Sequence, residues 1–562
     1  MKRVPLAIIA TVAALFLLRL LAPDNFMDQD QERPSSYVMD AIHNGNWLCQ
    51  RDLSGDITSK PPFYTWLAAL FTLSQGRISI LTMYLPGALS AMGVALLVWS
   101  IGRRHFGDRA ALWAAFASLL TTATVKEIGL ARTDGVFTFT VTATAFIAFR
   151  CWNRGGGWTL FWLAGAIATL TKGPLGVILA GGGLLAAWWE KRTVQDRFPL
   201  KGSHLFGVLL FFAIAAGWLW LSYFDQGQAV LDKIIGKELV GNAVKNRKNS
   251  IPGTLFWQPP LFYLGRAAPW SLFAYWGFWR LFKNPAINPR ERRFERFLFC
   301  WFFVGLTIFS ISPHQRGDLL WPIMSAGALI AGREIARLTA GWSIRRIGWS
   351  LSGAVVIALV GFSFYYGRIA ANTRVVKRTV AVQKIAAEIE QAGGNEFPLT
   401  HIDTPITLQF YLYTLRPLVT AERATQLLRG LPAAFVAVND LDALQKLRNE
   451  SDPEWFTLLP RDTSITNSPV WIVSNRPELK AGDHYAFCFG TLALELKGTQ
   501  LKHINQRYVE LATFGESDEI QISNEGSEPR RIEVRCGRLR SESVLKPGET
   551  WRLTGREFAA TK

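Results

Sequence analysis

The sequence predicts a polytopic α-helical membrane protein with a water-exposed C-terminal region of α/β and β-sandwich structure. Of the 562 residues, 49% are hydrophobic, and 22 Trp and 37 Phe are among them. Ordinary soluble proteins are less apolar and less aromatic. The apolar residues form blocks of about 15–23 between positions 5 and 366, close to the roughly 20 residues that cross a bilayer. No such block follows Arg368.

The apolar blocks predict about eleven membrane spans. The segment 61–74 is also apolar, but its length of about 13 residues favours a re-entrant or interfacial helix. The predicted spans are residues 5–22, 79–101, 110–125, 135–152, 158–171, 173–189, 204–222, 269–282, 296–312, 319–332 and 347–366.

The distribution of Lys and Arg orients these spans. With the N-terminus inside and 61–74 left out of the spans, every loop on the inside is rich in Lys or Arg, as the positive-inside rule requires. The first external loop, residues 23–78, is then long and acidic at its start, and the fourth, residues 223–268, is also long. This arrangement places the C-terminal region outside. The net charge of +18 therefore reflects span orientation, and we expect no nucleic-acid partner.

The chain divides into three predicted domains. Residues 1–370 form the membrane domain, residues 375–476 a soluble α/β domain and residues 477–562 a soluble β-rich domain. The first soluble part combines helical spacing with buried strands, and the second shows alternating strands separated by turns. Cys488 and Cys536 both lie in the second part and could form a disulfide in an oxidising space.

The first external loop carries candidate catalytic and binding residues. It contains Asp30-Gln-Glu-Arg33, then Gly45-Asn-Trp47, and then Lys60 before two prolines. A carboxylate such as Asp30 can act as a general base. Arg33 and Lys60 can bind a phosphate headgroup. The alternative is a solvated acidic loop without a catalytic role.

Three further charged residues lie on the same predicted face. Asp134 begins a span in Arg132-Thr-Asp134, and a carboxylate at a membrane boundary is a functional candidate because it needs a partner. Alternatively, Asp134 only stabilises the N-terminus of its helix. Lys172 lies between two spans, and Arg316 precedes the segment Leu319–Pro322. Either cation could instead be an interfacial residue that extends its charge to water.

In this order and topology, the motifs resemble those of the GT-C membrane glycosyltransferases. The resemblance is to the protein O-mannosyltransferases and the aminoarabinose (lipid A) transferases, whose first external loop carries Asp-Glu-x-Arg, Gly-Asp-Trp and Glu-Lys-Pro-Pro. This chain departs at Gln31, where the family has Glu, and at Leu319, where it has Tyr. The matching segments are Asp30–Arg33, Gly45–Trp47, Ser59–Pro62, Asp134, Thr171–Pro174, Pro269-Trp270 and Arg316–Pro322.

The resemblance covers about residues 1–340 and implies a GT-C-like fold of about 11–13 transmembrane helices. It implies inverting transfer of a sugar from a polyprenyl-phosphate donor, on the outer face of a bacterial inner membrane. Asp30 would be the general base, and Asp134 would be a second catalytic residue that binds a metal or orients the acceptor. The donor phosphate would contact four cations, namely Arg33, Lys60, Lys172 and Arg316.

Several alternatives stay open at this point. The acceptor could be a lipid such as lipid A or an extracytoplasmic protein, and Asp30 with Asp134 could hold Mg²⁺, Mn²⁺ or Zn²⁺. A transporter or flippase of a lipid-linked sugar would need ionisable groups near mid-span and broken helices in matching halves. Arg19 is the candidate for such a charge, but the two halves of the sequence do not match. A non-catalytic scaffold for the C-terminal domains would not require Asp30, Lys60 and Asp134 to share a face.

Overall fold

The structure of the chain is a computed structural model. Its chain contacts divide it into two units, one of Met1–Pro23 with Asp28–Thr373 and one of Asp24–Met27 with Arg374–Lys562. The structure describes residues 3–53, 55–194, 203–240, 255–313, 315–393, 397, 399–416, 418–430, 434–439, 442, 444–445, 447, 456–461, 468–479, 486–488, 493–496, 499–502, 509–511, 519–523, 529–536 and 539–554.

The first unit is helical. Short 3-10 helices occupy Gly182–Leu184 and Gly317–Leu320, and π-helical turns occupy Leu231–Val240 and Tyr365–Ile369. Its α-helices are α1 Val4–Leu21, α2 Gln29–Asn44, α3 Phe63–Gln75, α4 Ile80–Leu119, α5 Thr122–Glu127, α6 Asp134–Arg154, α7 Trp158–Lys172, α8 Leu175–Gly181, α9 Leu185–Val194, α10 Leu205–Gln226, α11 Gln228–Val230, α12 Gln258–Arg266, α13 Trp270–Lys283, α14 Pro289–Ile311, α15 Trp321–Leu338 and α16 Ile344–Phe364.

In the described part of the chain, seven helical segments are long and apolar enough to cross a membrane. The prediction of a polytopic helical membrane protein is therefore confirmed. The other predicted spans are helical but shorter or interrupted, since α7 has 15 residues and α13 has 14. The seven segments are Val4–Leu21, Ile80–Leu119, Asp134–Arg154, Leu205–Gln226, Pro289–Ile311, Gly317–Leu338 and Ile344–Asn372.

Helix α4 joins two segments that the sequence predicts as separate spans, 79–101 and 110–125. It runs from Ile80 to Leu119 and changes direction at Gly107, whose φ of 84° interrupts the helical geometry. Glycine adopts such a φ without steric cost, so the helix restarts without a loop. The predicted short helix at 61–74 corresponds to α3, which has 13 residues.

Small residues let α4 and α15 pack closely, as is common between membrane helices. Gly332 on α15 faces α4, and a Cβ atom at this position would lie 2.5 Å from the backbone nitrogen of Ala114. The same atom would lie 2.6 Å from the backbone oxygen of Ala110. These two helices therefore depend on glycine at position 332 for their separation.

Buried charges at the helix ends that are predicted to be cytoplasmic are paired. Arg333 forms ion pairs with Glu295 and, at 2.7 Å, with Glu334. Glu190 lies 2.8 Å from Arg296. A charge away from water is costly unless it has a partner, so these pairs let α9, α14 and α15 meet at this end.

The second unit begins with α17, Arg374–Gly393, and an α/β fold. The strands β1 Leu399–Ile402, β2 Phe435–Val438, β3 Phe456–Leu459 and β4 Trp471–Ser474 form a sheet of order β1-β2-β4-β3. Strands β1 and β2 are parallel, and the other pairs are antiparallel. Helices α18 Ile406–Leu412 and α19 Ala421–Gly430 connect β1 to β2. Val382, Ile389, Leu399 and Phe435 belong to its hydrophobic core.

The remaining strands form two antiparallel sheets, which agree with the small sheet region predicted after position 480. Their orders are β11-β10-β5-β8 and β12-β9-β6-β7. The side chains of Cys488 and Cys536 lie outside the described residues, so their disulfide stays a prediction. The strands are β5 Ala486–Cys488, β6 Ala493–Leu496, β7 Thr499–Lys502, β8 Val509–Leu511, β9 Glu519–Ser523, β10 Arg530–Cys536, β11 Leu539–Leu545 and β12 Thr550–Thr554.

We expect the substitution Gly332→Ala to destabilise the membrane unit by about 1–3 kcal/mol, because the new methyl group overpacks against the α4 backbone. Thermal unfolding of the purified protein in detergent should show a lower Tm. Gly353→Ala on α16 is the control, since no atom lies within 4 Å of a Cβ atom there. Equal Tm values for the two variants would contradict this account of the α4–α15 contact.

Candidate functional site

The candidate site is centred on the guanidinium group of Arg132, which follows α5 in the second external loop. One terminal nitrogen, Nη2, lies 2.9 Å from a carboxylate oxygen of Asp28 and 3.3 Å from one of Asp30. The other, Nη1, lies 3.6 Å from Asp318 and 3.9 Å from Glu127. The Arg132 side chain is only 9% exposed. A single buried cation thus contacts four carboxylates that three different loops supply.

Asp30 is placed at the start of α2. The Asp28 side chain caps this helix by accepting a hydrogen bond from the Asp30 backbone N–H. The Asp30 carboxylate is 46% exposed and lies 2.9 Å from Nη2 of Arg316. Burial alone would raise the pKa of Asp30, but Arg132 and Arg316 outweigh it and hold this pKa below its ordinary value. Asp30 is therefore ionised at neutral pH and open to a ligand.

Asp134 and Lys172 form an ion pair beside this cluster. Asp134 is the first residue of α6, and Lys172 is the last residue of α7. Their side chains are directly paired, and the Lys172 ammonium also lies 5.6 Å from the centre of the Phe137 ring. Asp134 therefore lies at a helix N-terminus, as the structural alternative predicts. It also has the charged partner that a functional carboxylate at a membrane boundary requires.

Sequence reasoning passed over Asp318 and Glu127. The Asp318 carboxylate is surrounded by four cations at 3.5–3.6 Å, namely Lys126, Arg132, Arg266 and Arg316. Glu127 is buried, and neither of its carboxylate oxygens has a hydrogen-bond partner among the described residues. Both residues occur in loops that the sequence places outside, but only the folded chain shows that these loops meet.

Burial raises the pKa of Glu127 to about 8. The neighbouring carboxylates of Asp134 and Asp318 act in the same direction, while Arg132 and Lys126 oppose them. Glu127 is therefore mostly protonated at neutral pH, which spares the cluster one further buried negative charge.

Lys60 forms an ion pair away from the Arg132 cluster. Its ammonium group is 3.2 Å from Glu238 in the fourth external loop. A second ion pair, 3.0 Å between Lys233 and Asp56, and a hydrogen bond of 2.9 Å from the Trp218 indole to the Leu48 carbonyl, join the same two regions. The first external loop thus packs against α10 and the segment that follows it. Among the described ion pairs, Lys60 is not joined to Asp30.

Arg33 is exposed one helical turn after Asp30. Further along the loop, the segment Gly45–Trp47 contributes a helix end and hydrogen bonds that fix the backbone, and it has no charged side chain. Gly45 ends α2 with a φ of 73°, and the amide of Asn46 donates to the buried carboxylate of Asp40 at 2.9 Å. The carbonyl of Trp47 accepts a hydrogen bond of 2.7 Å from the Trp66 indole on α3.

Arg19 links the end of α1 to the second external loop and to α4. It lies in the last turn of α1, and its side chain donates to the Gly129 carbonyl and to the Tyr84 hydroxyl at 3.3 and 3.2 Å. The guanidinium also lies 5.2 and 5.3 Å from the ring centres of Tyr84 and Tyr366. It therefore anchors the second external loop near a helix end, and the expectation of an ionisable group near mid-span does not hold for this residue.

The predicted metal ion finds little support in the donor set. Asp30 and Asp134 are each engaged by cations. Among the residues that the structure describes, no group of three or more His, Cys, Asp or Glu side chains could hold a metal. The ion stays a prediction.

Comparison with known sequences gives partial matches. A family model for dolichyl-phosphate-mannose-protein mannosyltransferases matches residues 59–220. An uncharacterised protein from Aquifex aeolicus is 34% identical over 30% of this chain, which spans 37% of that relative. An undecaprenyl phosphate-alpha-4-amino-4-deoxy-L-arabinose arabinosyl transferase from Pseudomonas aeruginosa is 23% identical over 86% of this chain and 88% of its own length.

Comparison with solved structures gives a match over most of the chain. ArnT from Cupriavidus metallidurans bound to undecaprenyl phosphate is similar with a TM-score of 0.66 and 17% identity, covering 85% of this chain and 98% of that one. Its apo structure gives a TM-score of 0.64. At this level of identity the similarity shows the fold, and it confirms the predicted GT-C architecture.

We expect Glu127→Gln to stabilise the protein increasingly as the pH rises from 5 to 8. In this range the folded protein retains the Glu127 proton, whereas the unfolded chain releases it near the ordinary value of 4.5. Stability of the wild type therefore falls with rising pH, and the uncharged Gln removes this loss.

The measurement is Tm against pH for the wild type, Glu127→Gln and a control, Glu291→Gln at the start of α14. The Tm difference between Glu127→Gln and the wild type should grow toward pH 8 and then level off. A difference that is constant over this range, or one equal to that of the control, would refute the protonated state of Glu127.

Proposed function

We propose that this chain, a membrane glycosyltransferase similar to the GT-C superfamily, transfers a sugar from a polyprenyl-phosphate donor to a lipid A-like acceptor, with Asp30 as the general base. The observation that carries the proposal is the Asp30 carboxylate itself. It is ionised, half exposed and held between Arg132 and Arg316. It also lies beside the Asp134–Lys172 pair, so acidic and basic groups meet on one face.

The proposed reaction is a displacement with inversion at the anomeric carbon of the donor sugar. Asp30 accepts the proton of an acceptor hydroxyl as the hydroxyl oxygen forms its bond to that carbon. The bond from the carbon to the phosphate oxygen breaks, and its electron pair leaves with the polyprenyl phosphate. Cations that face the leaving phosphate stabilise the charge that develops on it.

Four cations are proposed to bind the donor phosphate. Arg316 is the best placed of them, because it contacts Asp30 and yet is 40% exposed. Lys172 lies beside Asp134, and Arg33 is exposed on α2 near Asp30. Lys60 would reach the donor from the side of the fourth external loop, where Glu238 now holds it.

The length of the sequence matches favours a lipid acceptor. The arabinosyl transferase matches over 86% of this chain, whereas the protein mannosyltransferase model matches only residues 59–220. The arabinosyl transferase is named for an undecaprenyl phosphate-linked sugar, so undecaprenyl phosphate is the polyprenyl carrier that we propose. Transfer to a protein hydroxyl is the alternative, and it would use the same base and the same cations.

We place the enzyme in a bacterial inner membrane with its N-terminus in the cytoplasm. The Lys and Arg residues of the short loops support this orientation. The site and the C-terminal unit would then face the extracytoplasmic space, where Asp134 would orient the acceptor.

We expect Asp30→Asn to reduce transfer by about 10²–10⁴-fold, because it removes the group that accepts the proton. The assay is transfer of radiolabelled sugar from polyprenyl-phosphate sugars by the purified protein, with gel filtration and Tm to verify folding. Asp56→Asn is the matched control, since Asp56 lies in the same loop but pairs with Lys233. It should retain activity within about threefold. Equal transfer by wild type and Asp30→Asn would refute the base assignment.

A further inference from the structure

The two arginines that contact Asp30 differ in their surroundings. The Arg316 side chain is 40% exposed and contacts two carboxylates, those of Asp30 and Asp318. The Arg132 side chain is 9% exposed and contacts four carboxylates. A ligand in the site can therefore reach Arg316, whereas Arg132 is enclosed by the protein.

We propose that Arg132 is the positioning residue of the general base, holding the Asp30 carboxylate in place while Arg316 is left to exchange its partner for the donor phosphate. This inference rests on the proposed function of Asp30. It assigns different tasks to two residues of the same charge, and the difference follows from their burial and their number of partners.

The backbone around Arg132 is fixed from both sides. On one side, Arg19 donates to the carbonyl of Gly129, and a Cβ atom on Gly129 would clash with the Arg19 side chain. On the other side, the N–H of Ala131 donates to Oε1 of Gln31 at 3.3 Å. Gln31 follows Asp30 in the same helix, so the element that carries the base is bonded to the loop that carries Arg132.

The side chain of Arg132 is directed by carboxylates on both sides. Glu127 and Asp318 lie near Nη1, and Asp28 and Asp30 lie near Nη2. Nη2 donates a hydrogen bond to Asp28, whereas Nη1 has ion-pair contacts but no hydrogen bond among the described residues. Because a guanidinium group is planar, acidic groups on both sides of it restrict its orientation. A lysine ammonium at the same position would keep the charge but not this geometry.

The pKa of Asp30 depends on Arg132 as well as on Arg316. The charged groups that act on Asp30 are the cations Arg132 and Arg316 and the carboxylate of Asp134. Removing Arg132 leaves Arg316 to oppose burial and Asp134, so the pKa of Asp30 must rise. Since the base acts in its ionised form, the acidic limb of the pH–rate profile then moves to higher pH.

The experiment compares kcat, donor KM and the pH profile of kcat for Arg132→Gln, Arg132→Lys and the wild type. We expect Arg132→Gln to lower kcat by about tenfold or more, with donor KM changed by less than about threefold and the acidic limb at higher pH. Arg132→Lys should restore the position of the limb but only part of kcat. Arg316→Gln should instead raise donor KM.

Arg103→Gln is the control, because Arg103 is an exposed arginine of the same unit that pairs with Asp108 at 2.7 Å. It should leave kcat, donor KM and the acidic limb at their wild-type values. The proposal is overturned if Arg132→Gln raises donor KM at constant kcat, or if the acidic limb does not move. If Arg132→Gln fails to fold, Arg132→Lys decides: full wild-type kcat in that variant also overturns the proposal.

A double-mutant cycle in Tm separates this inference from the proposed function. It uses Asp30→Asn, Arg132→Gln and the double variant, and it needs no catalytic activity. Coupled Tm changes in a protein that transfers no sugar would support the Arg132–Asp30 contact and reject the proposed reaction. Additive Tm changes, whether or not the protein is active, would reject the positioning role.

Discussion

The candidate site depends on the enclosure of one guanidinium group among acidic side chains. A buried arginine cannot lose its proton, so its charge must be compensated by the protein around it. In this chain the compensation comes from Asp28 and Asp30 in the first external loop and from Asp318 in the fifth, while the protonated Glu127 of the second loop lies beside the same guanidinium. Three loops that are far apart in sequence are thereby held at one point.

The same enclosure divides the cluster into an inner and an outer part. Glu127 lies inside, where burial keeps it protonated, and Asp318 is shared by several cations. Asp30 and Arg316 lie outside, where the solvent and a ligand can reach them. An ionised carboxylate beside a solvent-accessible cation is suited to both proton transfer and phosphate binding, because the cation can exchange one anionic partner for another.

Most of the helices could be predicted from the sequence, because each span is a local block of apolar residues. The continuity of α4 could not be predicted in this way. The chain bends at Gly107 and continues as a helix, although the polar residues around it suggest a loop between two spans. Local composition does not reveal whether a helix restarts at once. Buried apolar runs predicted β2 and β4, and alternation with turns predicted the strand-rich region after position 480. The order of the strands in the sheets could not be predicted, because it depends on contacts between distant residues.

The candidate residues were recognised for similar reasons, but their partners were not. Asp30, Asp134 and Arg316 stand in recognisable segments, whereas the contact of Lys60 with Glu238 joins two loops separated by about 180 residues of chain, for which no local pattern exists. Glu127 and Asp318 were missed because an acidic residue in a loop is normally solvated. Only their enclosure distinguishes them, and enclosure is a property of the folded chain.

Gln31 shows how a departure from a family pattern can preserve a contact. The glycosyltransferases that this sequence resembles have Glu here, and either side chain can accept the hydrogen bond that Ala131 donates. Gln31 is fully buried and lies between Asp30 and the loop that carries Arg132. A Glu at this position would bring another negative charge to a site that already contains Asp28, Asp30 and Asp318. The neutral amide keeps the hydrogen bond between α2 and the loop that carries Arg132. Because it adds no negative charge, it does not compete with Asp28, Asp30 and Asp318 for the Arg132 guanidinium.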